Sequence, residues 1–446
     1  MNSELEKNFK EVEKNFSELH SISNYRKKSF LNFQKKGFPT RELEDWKFFD
    51  FKRIINKKFN KLNINCSKDN INYKDKYSFS NIDTFSLQTL NENFNQIGLE
   101  FNYIVFQNGF LNTFSFHHEV LKYFTFERKD ELEKSKSLSI LEKNLSDNSN
   151  SLISFNNAFF SDIFVLNIKD NYQFKKPLVI YNFFDDASET NAFNEKIIIK
   201  LGEHSKLNVI NFTHNLNTKP IFFNLNQEYL LNKNSILKKY DLNDISNEDV
   251  NYNYTNCNVE KNAIFENFIT SIGPGYIKSE INCNLNGQYS SGFVNGLMFL
   301  QNTQLHEIKT FLHHKNENTK SSQKIKSILD GKSNGIFQGK IYVDSKSQKT
   351  DGYQLSNAIL LSKESEFDSK PELEIYADDV KCSHGSTCSQ LDESAIFYLM
   401  SRGIDLSSAK KMLIKGFLFD ALETITCGKI KELFSKRLED KINEYK

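Results

Sequence analysis

Two thiols and an imidazole lie close together in the stretch PELEIYADDVKCSHGSTCSQLDESAIFYLMSRGI, from Pro371 to Ile404: Cys382, His384 and Cys388. A thiolate and a neutral imidazole are ligands that borderline metals such as iron and zinc accept. A protonated imidazole beside a thiol would also make that thiol nucleophilic. A closed mononuclear site normally needs four ligands and usually a Cys-x-x-Cys pair, and this stretch supplies neither. The spacing therefore leaves three readings open, a free site, a half-site that a partner completes and a structural β-edge. Taken as one extended strand, LEIYADDVKCSHG puts Cys382 and His384 on a common face about 7 Å apart. Leu373 and Ile375 fall on the other face, so the pair is expected to look outward.

A second thiol pair stands in the middle of the chain. Asn256-Cys257-Asn258-Val259 and Asn282-Cys283-Asn284-Leu285 repeat one pattern at an offset of 26 residues. If that offset is one coil of a repetitive β fold, the cysteines stack, and strand alternation points both into the core. Core packing and an internal thiol ladder both fit.

Other candidate chemistry falls away on geometry. DGKS (Asp330 to Ser333) and GIFQGK (Gly335 to Lys340) bring glycine and lysine together, but a phosphate loop needs four residues between its glycines, then Lys and Ser/Thr. Both are read as β-turns. Gly-x-Gly-x-x-Gly and His-Glu-x-x-His are both missing from the sequence. His313 and His314 are adjacent and would point to opposite faces of a strand. They, His306, His117 and His118 are read as surface or hydrogen-bonded residues, and Cys66 and Cys427 have no ligand neighbour. Asp378 and Asp379, adjacent and on opposite faces, do not make the carboxylate cluster of a carbohydrate-acting β-helix enzyme.

The elements that must position these residues follow from periodicity. Leu5, Phe9, Val12, Phe16 and Leu19 recur at helical spacing, Gly37 and Pro39 break the run, and a second helical run carries Trp46, Phe49 and Ile54. Residues 60 to 150 read as polar and irregular, and the charged, then Ser/Asn-rich segment Glu127 to Asn150 suggests a boundary. From Ser151, short β-branched runs alternate with turns for over 200 residues. A loose turn motif returns from Gly202, Asn232, Glu260, Asn286, Asp330 and Ser362, at intervals of roughly 26 to 44 residues. That spacing suits the coils of a parallel β-helix better than the roughly 8 to 12 residues of a sandwich. Asp392 can cap a helix that Gly403 stops. The next helix shows Ala409, Met412, Leu413, Gly416, Phe417 and Ala421 on one face, which the β-core or another protein must cover. The expected division is 1–150 helical domain and linker, 151–391 β-helix core, 392–446 carboxy-terminal helical domain.

Composition excludes whole classes of function. The 58 basic and 57 acidic residues leave a formal charge of +1, so no global field recruits a polyanion. The basic residues are mostly lysine, whereas the guanidinium that reads phosphates and bases is scarce. Nucleic acid is not an expected partner. No apolar run approaches the roughly 20 residues of a membrane span, and no apolar signal core follows Met1. A soluble, cytoplasmic protein is expected, whose six cysteines are ligands or core residues before they are disulfides.

GKSNGIFQGKIYV, QKTDGYQLSNAILLS, PELEIYADDVKCSHGST, QLDESAIFYLMSRGID and AKKMLIKGF resemble, in that order, the SufD family of scaffold subunits of the Suf iron-sulfur cluster assembly system. GFPTRELEDWK, from Gly37 to Lys47, is similar to that family's amino-terminal motif. The resemblance implies a mainly β chain, with a right-handed parallel β-helix core flanked by amino- and carboxy-terminal helical domains. It implies pairing with a SufB paralogue through the β-helix ends. It also implies that the carboxy-terminal helices bind the SufC ATPase, making Ala409, Met412, Leu413, Gly416 and Phe417 the expected partner-binding face. His384, the histidine of the KCSHG motif, is then associated with a transient iron-sulfur cluster at the SufB interface, with Cys382 as accessory ligand. No nucleotide is expected on this chain, and a flavin on the complex is left open. The chain departs from the family pattern after Gly385, where Ser386, Thr387, Cys388 and Ser389 make Cys388 an extra thiol. The expected function is a non-catalytic scaffold in ATP-driven cluster assembly, and the alternative is an adaptor whose thiols and imidazole have no ligand role.

Overall fold

The computed structural model describes residues 2–15, 20–64, 94, 97–132, 150–185, 190–244, 248–273 and 275–445; Cys66, Phe16 and Leu19 lie outside them. Helices α1 (Asn2–Asn15), α2 (His20–Lys36) and α3 (Phe51–Lys58) open the chain. Strands β1 (Asn102–Gln107), β2 (Phe110–Ser115) and β3 (Phe124–Arg128) follow, then α4 (Ser151–Phe159). The strands that wind from there are β4 (Asp162–Ile168), β5 (Leu178–Phe184), β6 (Ala192–Leu201), β7 (Lys206–Asn215), β8 (Phe222–Leu231), β9 (Ile236–Asp244), β10 (Val250–Val259) and β11 (Ile264–Ser271). They continue as β12 (Tyr276–Leu285), β13 (Ser291–Leu300), β14 (Leu305–His314), β15 (Lys320–Leu329), β16 (Asn334–Val343), β17 (Thr350–Leu360), β18 (Glu366–Ile375) and β19 (Val380–Gln390). Helices α5 (Glu393–Ser401), α6 (Leu406–Leu422) and α7 (Gly428–Glu444) close the chain.

From β4 onward the even strands stack in one parallel sheet and the odd strands in a second, so the chain alternates between two walls as it winds. The result is a β-solenoid of about 7 turns. One turn chemistry makes this regular. At the corner after each even strand from β4 to β16 a residue sits in the left-handed region: Asn171, His204, Asn234, Asn262, Tyr289, Asn318 or Lys349. Asparagine tolerates that conformation better than most side chains, which explains why a polar turn motif recurs in the sequence. A small hydroxyl then bonds back to the carbonyl three residues earlier: Ser205 to Gly202 at 2.8 Å, Ser235 to Asn232 at 2.6 Å, Ser290 to Gly287 at 2.7 Å. DGKS lies at such a bend, with Gly331 at φ 65°. GIFQGK is not a turn as expected; it is the body of β16, because Phe337 and Ile341 alternate into the core.

Cys257 and Cys283 are in register on β10 and β12, both wholly buried. They pack among Tyr229, Phe265 and Leu285. His306 and His314 share the interior phase of Ile308 and Leu312 and are fully buried, while His313 faces out to Asp344 at 2.9 Å.

Two segments, holding four elements, were not legible as strand or helix in the sequence. The segment expected to be irregular holds β1 to β3, whose antiparallel pairings close one end of the solenoid. Phe114, Phe116, Phe124 and Phe126 pack on one another there. Within the segment expected to start the β-rich texture, α4 is a helix with every residue buried, capped by Asn150, whose side chain accepts from Leu152 N–H. It lies between α2 and strands β6 and β8, so its polar side chains are buried with its apolar ones, Asn156 donating to the Glu195 and Asn224 carbonyls, and no solvent-facing stripe marks it as a helix.

The GFPTRELEDWK segment straps the outside of the even sheet. Trp46 is buried over the Lys278 ammonium, 4.3 Å from Nζ to ring centroid, and Lys278 also donates to the Asp45 carbonyl at 3.1 Å. The end of the carboxy-terminal helical domain is the amphipathic helix α7, which buries Ile430, Leu433, Phe434, Leu438 and Ile442. No helix among the described residues is long and apolar enough to cross a membrane.

Candidate functional site

The solenoid is closed at its β1–β3 end and uncovered at the other. β18 and β19 are the terminal strands of their sheets, each paired on one side only. None of their residues is buried. In every earlier coil the next coil covers such positions; here no described residue does. A long exposed strand edge is a ready template for another β structure.

Cys382, His384 and Cys388 all stand on β19, and the structure fixes their direction. Ser386 shares their phase and bonds Ser356 at 2.9 Å, and Ser356 reaches Ser369 on the opposite wall at 2.8 Å. This row therefore faces the lumen. Cys382 packs with Leu373, Ile375, Val380, Ile341, Val343 and Ala377. The expected outward face, opposite Leu373 and Ile375, is thereby corrected. LEIYADDVKCSHG is not one strand: β18 ends at Ile375, Tyr376 to Asp379 turn the corner, and β19 starts at Val380. A corner resets the phase, so both walls contribute their own interior rows.

Burial differs along the row. Cys382 is half-buried, its Sγ 3.4 Å from where a Cβ on Gly352 would stand, while His384 and Cys388 are exposed. Desolvation pushes the Cys382 thiol up, opposed by a backbone hydrogen bond from Gly352, and it pushes Cys388 up as well. Both thiols thus rest protonated until a metal or a positive partner favours the thiolate. His384 to Cys388 spans four residues of extended chain, about 13 Å, too far for one ion. Among the described residues no group of three or more His, Cys, Asp or Glu side chains could hold a metal ion. The donor types suit iron, and the donor number does not close a site.

Sequence reasoning passed over the floor beneath this row. Gly352, Gln354, Ser356 and Ala358 on β17 are the register partners of Cys382, His384, Ser386 and Cys388. The signal was the same small and polar period-two pattern one coil earlier.

The expected partner-binding face on α6 divides. Ala409 is wholly buried, and with Ile414, Leu418, Ala421 and Leu422 it forms the stripe that packs inward. Phe417 is partly buried beside Lys326, whose ammonium lies 4.5 Å from its ring centroid. Leu413 is half-buried, while Met412 and Gly416 face solvent. Asp420 fastens the helix to β15 through Lys324 and Lys326, both at 2.7 Å, which hold its carboxyl down to about 2. More apolar surface is exposed than the sequence suggested. α5 buries none of its residues, leaving Phe397 at 74% and Tyr398 at 58% exposure, and Met400, Leu406 and Met412 extend the patch.

The chain matches the SUF system FeS cluster assembly SufBD core domain over residues 183–417 and the SufBD protein N-terminal region over residues 2–180. It is similar to the iron-sulfur cluster assembly protein SufD of Escherichia coli, 35% identical over 171 residues, 38% of this chain and 40% of that protein. An iron-sulfur cluster assembly SufBD family protein of Synechocystis is 41% identical over 105 residues, 24% of this chain and 23% of that protein. SufD of Bacillus subtilis is 23% identical over 278 residues, 62% of this chain and 63% of that protein. The chain thus spans from 23% to 63% of the length of these curated relatives.

Proposed function

The chain belongs to the SufBD family of the SUF iron-sulfur cluster assembly system, and we propose that it serves there as a non-catalytic scaffold whose open solenoid end is half of a cluster-assembly site. The observation that carries this reading is the position of His384. It stands on the terminal strand, paired on one side only, in the lumen-facing row, with Cys382 two residues before it and no group of described residues that closes a site.

The partner that covers the open end is a SufB paralogue, whose own solenoid edge continues the two sheets and supplies the missing ligands. Iron and sulfide are the substrate, and a transient cluster is the product that leaves. The exposed apolar face of α5 and α6, centred on Phe397, Tyr398, Met400 and Met412, receives the SufC ATPase. ATP is hydrolysed there and not on this chain. Movement of α6 reaches the site through Asp420, which is fastened to β15; β15 pairs with β17, and β17 with β19. The protein works in the cytoplasm.

His384→Ala tests the reading. The complex with both partners should assemble as before, while iron and sulfide loading is lost. Unchanged loading in that variant would remove His384 from the site. The adaptor alternative is favoured by the incomplete donor set among the described residues. Normal assembly rates in the triple variant Cys382→Ala, His384→Ala, Cys388→Ala would establish it.

A further inference from the structure

We propose that Gln354 is a positioning residue for His384, the last member of a buried hydrogen-bond lane that runs up the solenoid interior and fixes the imidazole for its ligand role. The inference deepens the functional reading above and rests on it. Gln354 and His384 are register partners on β17 and β19, so their backbones lie about 4.8 Å apart and their side chains leave on the same face. Gln354 is wholly buried, yet neither its Nε2 nor its Oε1 has a hydrogen-bond partner. A buried carboxamide with no partner is costly, and the residue next to it on the terminal strand, on the same face, is His384.

The coil below sets the polarity of the lane. Gln323 on β15 is the register partner of Gln354 and is also fully buried. Its Oε1 accepts the hydroxyl of Thr310 from the opposite wall. Gly339 makes room for that contact, since a Cβ there would come within 3.0 Å of Gln323 Oε1. A carbonyl oxygen has two lone pairs, so Gln323 Oε1 can also accept Nε2–H of Gln354. Gln354 then presents its own Oε1 to His384. An imidazole that donates one N–H to this oxygen keeps its other nitrogen as a lone-pair donor, the form an iron ligand requires. Stacked carboxamides on in-register strands form such ladders readily. With those two bonds formed, the hydroxyl of Thr310, two carboxamides and one imidazole would make a continuous file toward the open end; in the structure only the Thr310–Gln323 bond is in place.

The test uses the full-length chain assembled with its partner paralogue and cobalt(II) as the probe, read by its ligand-field absorption, together with thermal unfolding of each variant. Gln354→Leu should unfold at or above the wild-type temperature, because an unmet amide is replaced by apolar volume. It should nonetheless bind cobalt(II) at least about tenfold more weakly. Gln354→Glu, which keeps an oxygen acceptor, should restore binding. His384→Ala should abolish the signal that Gln354→Leu weakens. If His384→Ala weakens binding and Gln354→Leu does not, the positioning role is overturned and the functional reading stands. If neither variant alters binding, both fall. Should Gln354→Leu fail to fold, Gln354→Met carries the same comparison, and a loss of stability that parallels the loss of binding in both apolar variants would assign Gln354 to packing alone.

Discussion

Lys278 and Glu307 form an ion pair in which neither side chain has any solvent exposure. Gln338 donates to the same carboxylate at 2.7 Å, and Trp46 covers the ammonium. Burial pushes the Lys278 ammonium down, and the facing carboxylate holds it charged. The pair joins β12 to β14 and pins the amino-terminal strap to the solenoid wall.

Removing one member of that pair should be expensive. Glu307→Gln or Lys278→Met leaves the other charge buried without its counter-ion, a loss of about 3–5 kcal/mol. Trp46 is the one tryptophan in the chain, so its fluorescence reports the strap directly. The expected result is a lower urea midpoint and a red-shifted emission. An unshifted spectrum together with an unchanged midpoint would show that the pair contributes nothing.

The buried histidines give the fold an acid limit. Desolvation drives His306 and His314 down to about 3, well below the ordinary value near 6.5. Both are neutral in the folded chain, while the unfolded chain takes up protons as pH falls below about 6.5. Their contribution is therefore complete above that pH and is lost progressively between about 6.5 and about 3, at up to ~1.4 kcal/mol per pH unit for each. Urea midpoints should fall steeply from pH 7 to pH 5. In the double variant His306→Gln, His314→Gln the slope should be shallower by about two protons.

Thiol reactivity should follow depth. Cys388 is exposed, Cys382 is half-buried, and Cys257 and Cys283 are sealed in the interior, where burial pushes Cys257 far up and Cys283 to about 12. Alkylation of the native chain followed by peptide mass spectrometry should label Cys388 first and Cys382 more slowly. Cys257 and Cys283 should react only on unfolding. Native labelling of Cys257 would show a route into the core that the packing does not provide.

The α5 patch separates folding from partner binding. Phe397→Ser and Tyr398→Ser alter side chains that pack on little, so stability should change by no more than about 0.5 kcal/mol. Capture of the purified ATPase, measured by titration calorimetry, should be lost. Retained affinity would place that partner elsewhere.

Most of the architecture was legible because the solenoid repeats its local chemistry. The Cys257 and Cys283 tetrapeptides announced the register of β10 and β12 before any coordinates. The thiol of Cys382 and the imidazole of His384 were equally plain. Their direction was not, since alternation carries phase along one strand and Tyr376 to Asp379 break it. The stripe on α6 was misplaced for a related reason. Met412 and Phe417 look as apolar as Ile414 and Leu418, and only the position of the sheet decides which are covered. Gln354 was invisible, because a glutamine in a strand means nothing until its neighbours have been shown to leave it unpartnered.

The antiparallel strands at the amino-terminal end and the bare strands at the other make this a one-ended building block. A solenoid open at both ends would add copy upon copy and grow into a filament, as head-to-tail contacts do when they never close. With one end plugged by Phe114, Phe116, Phe124 and Phe126, end-to-end addition stops at two. In the pairing proposed above, the plug that finishes the core also limits the stack to two, so that His384 would lie at the one junction between two closed ends.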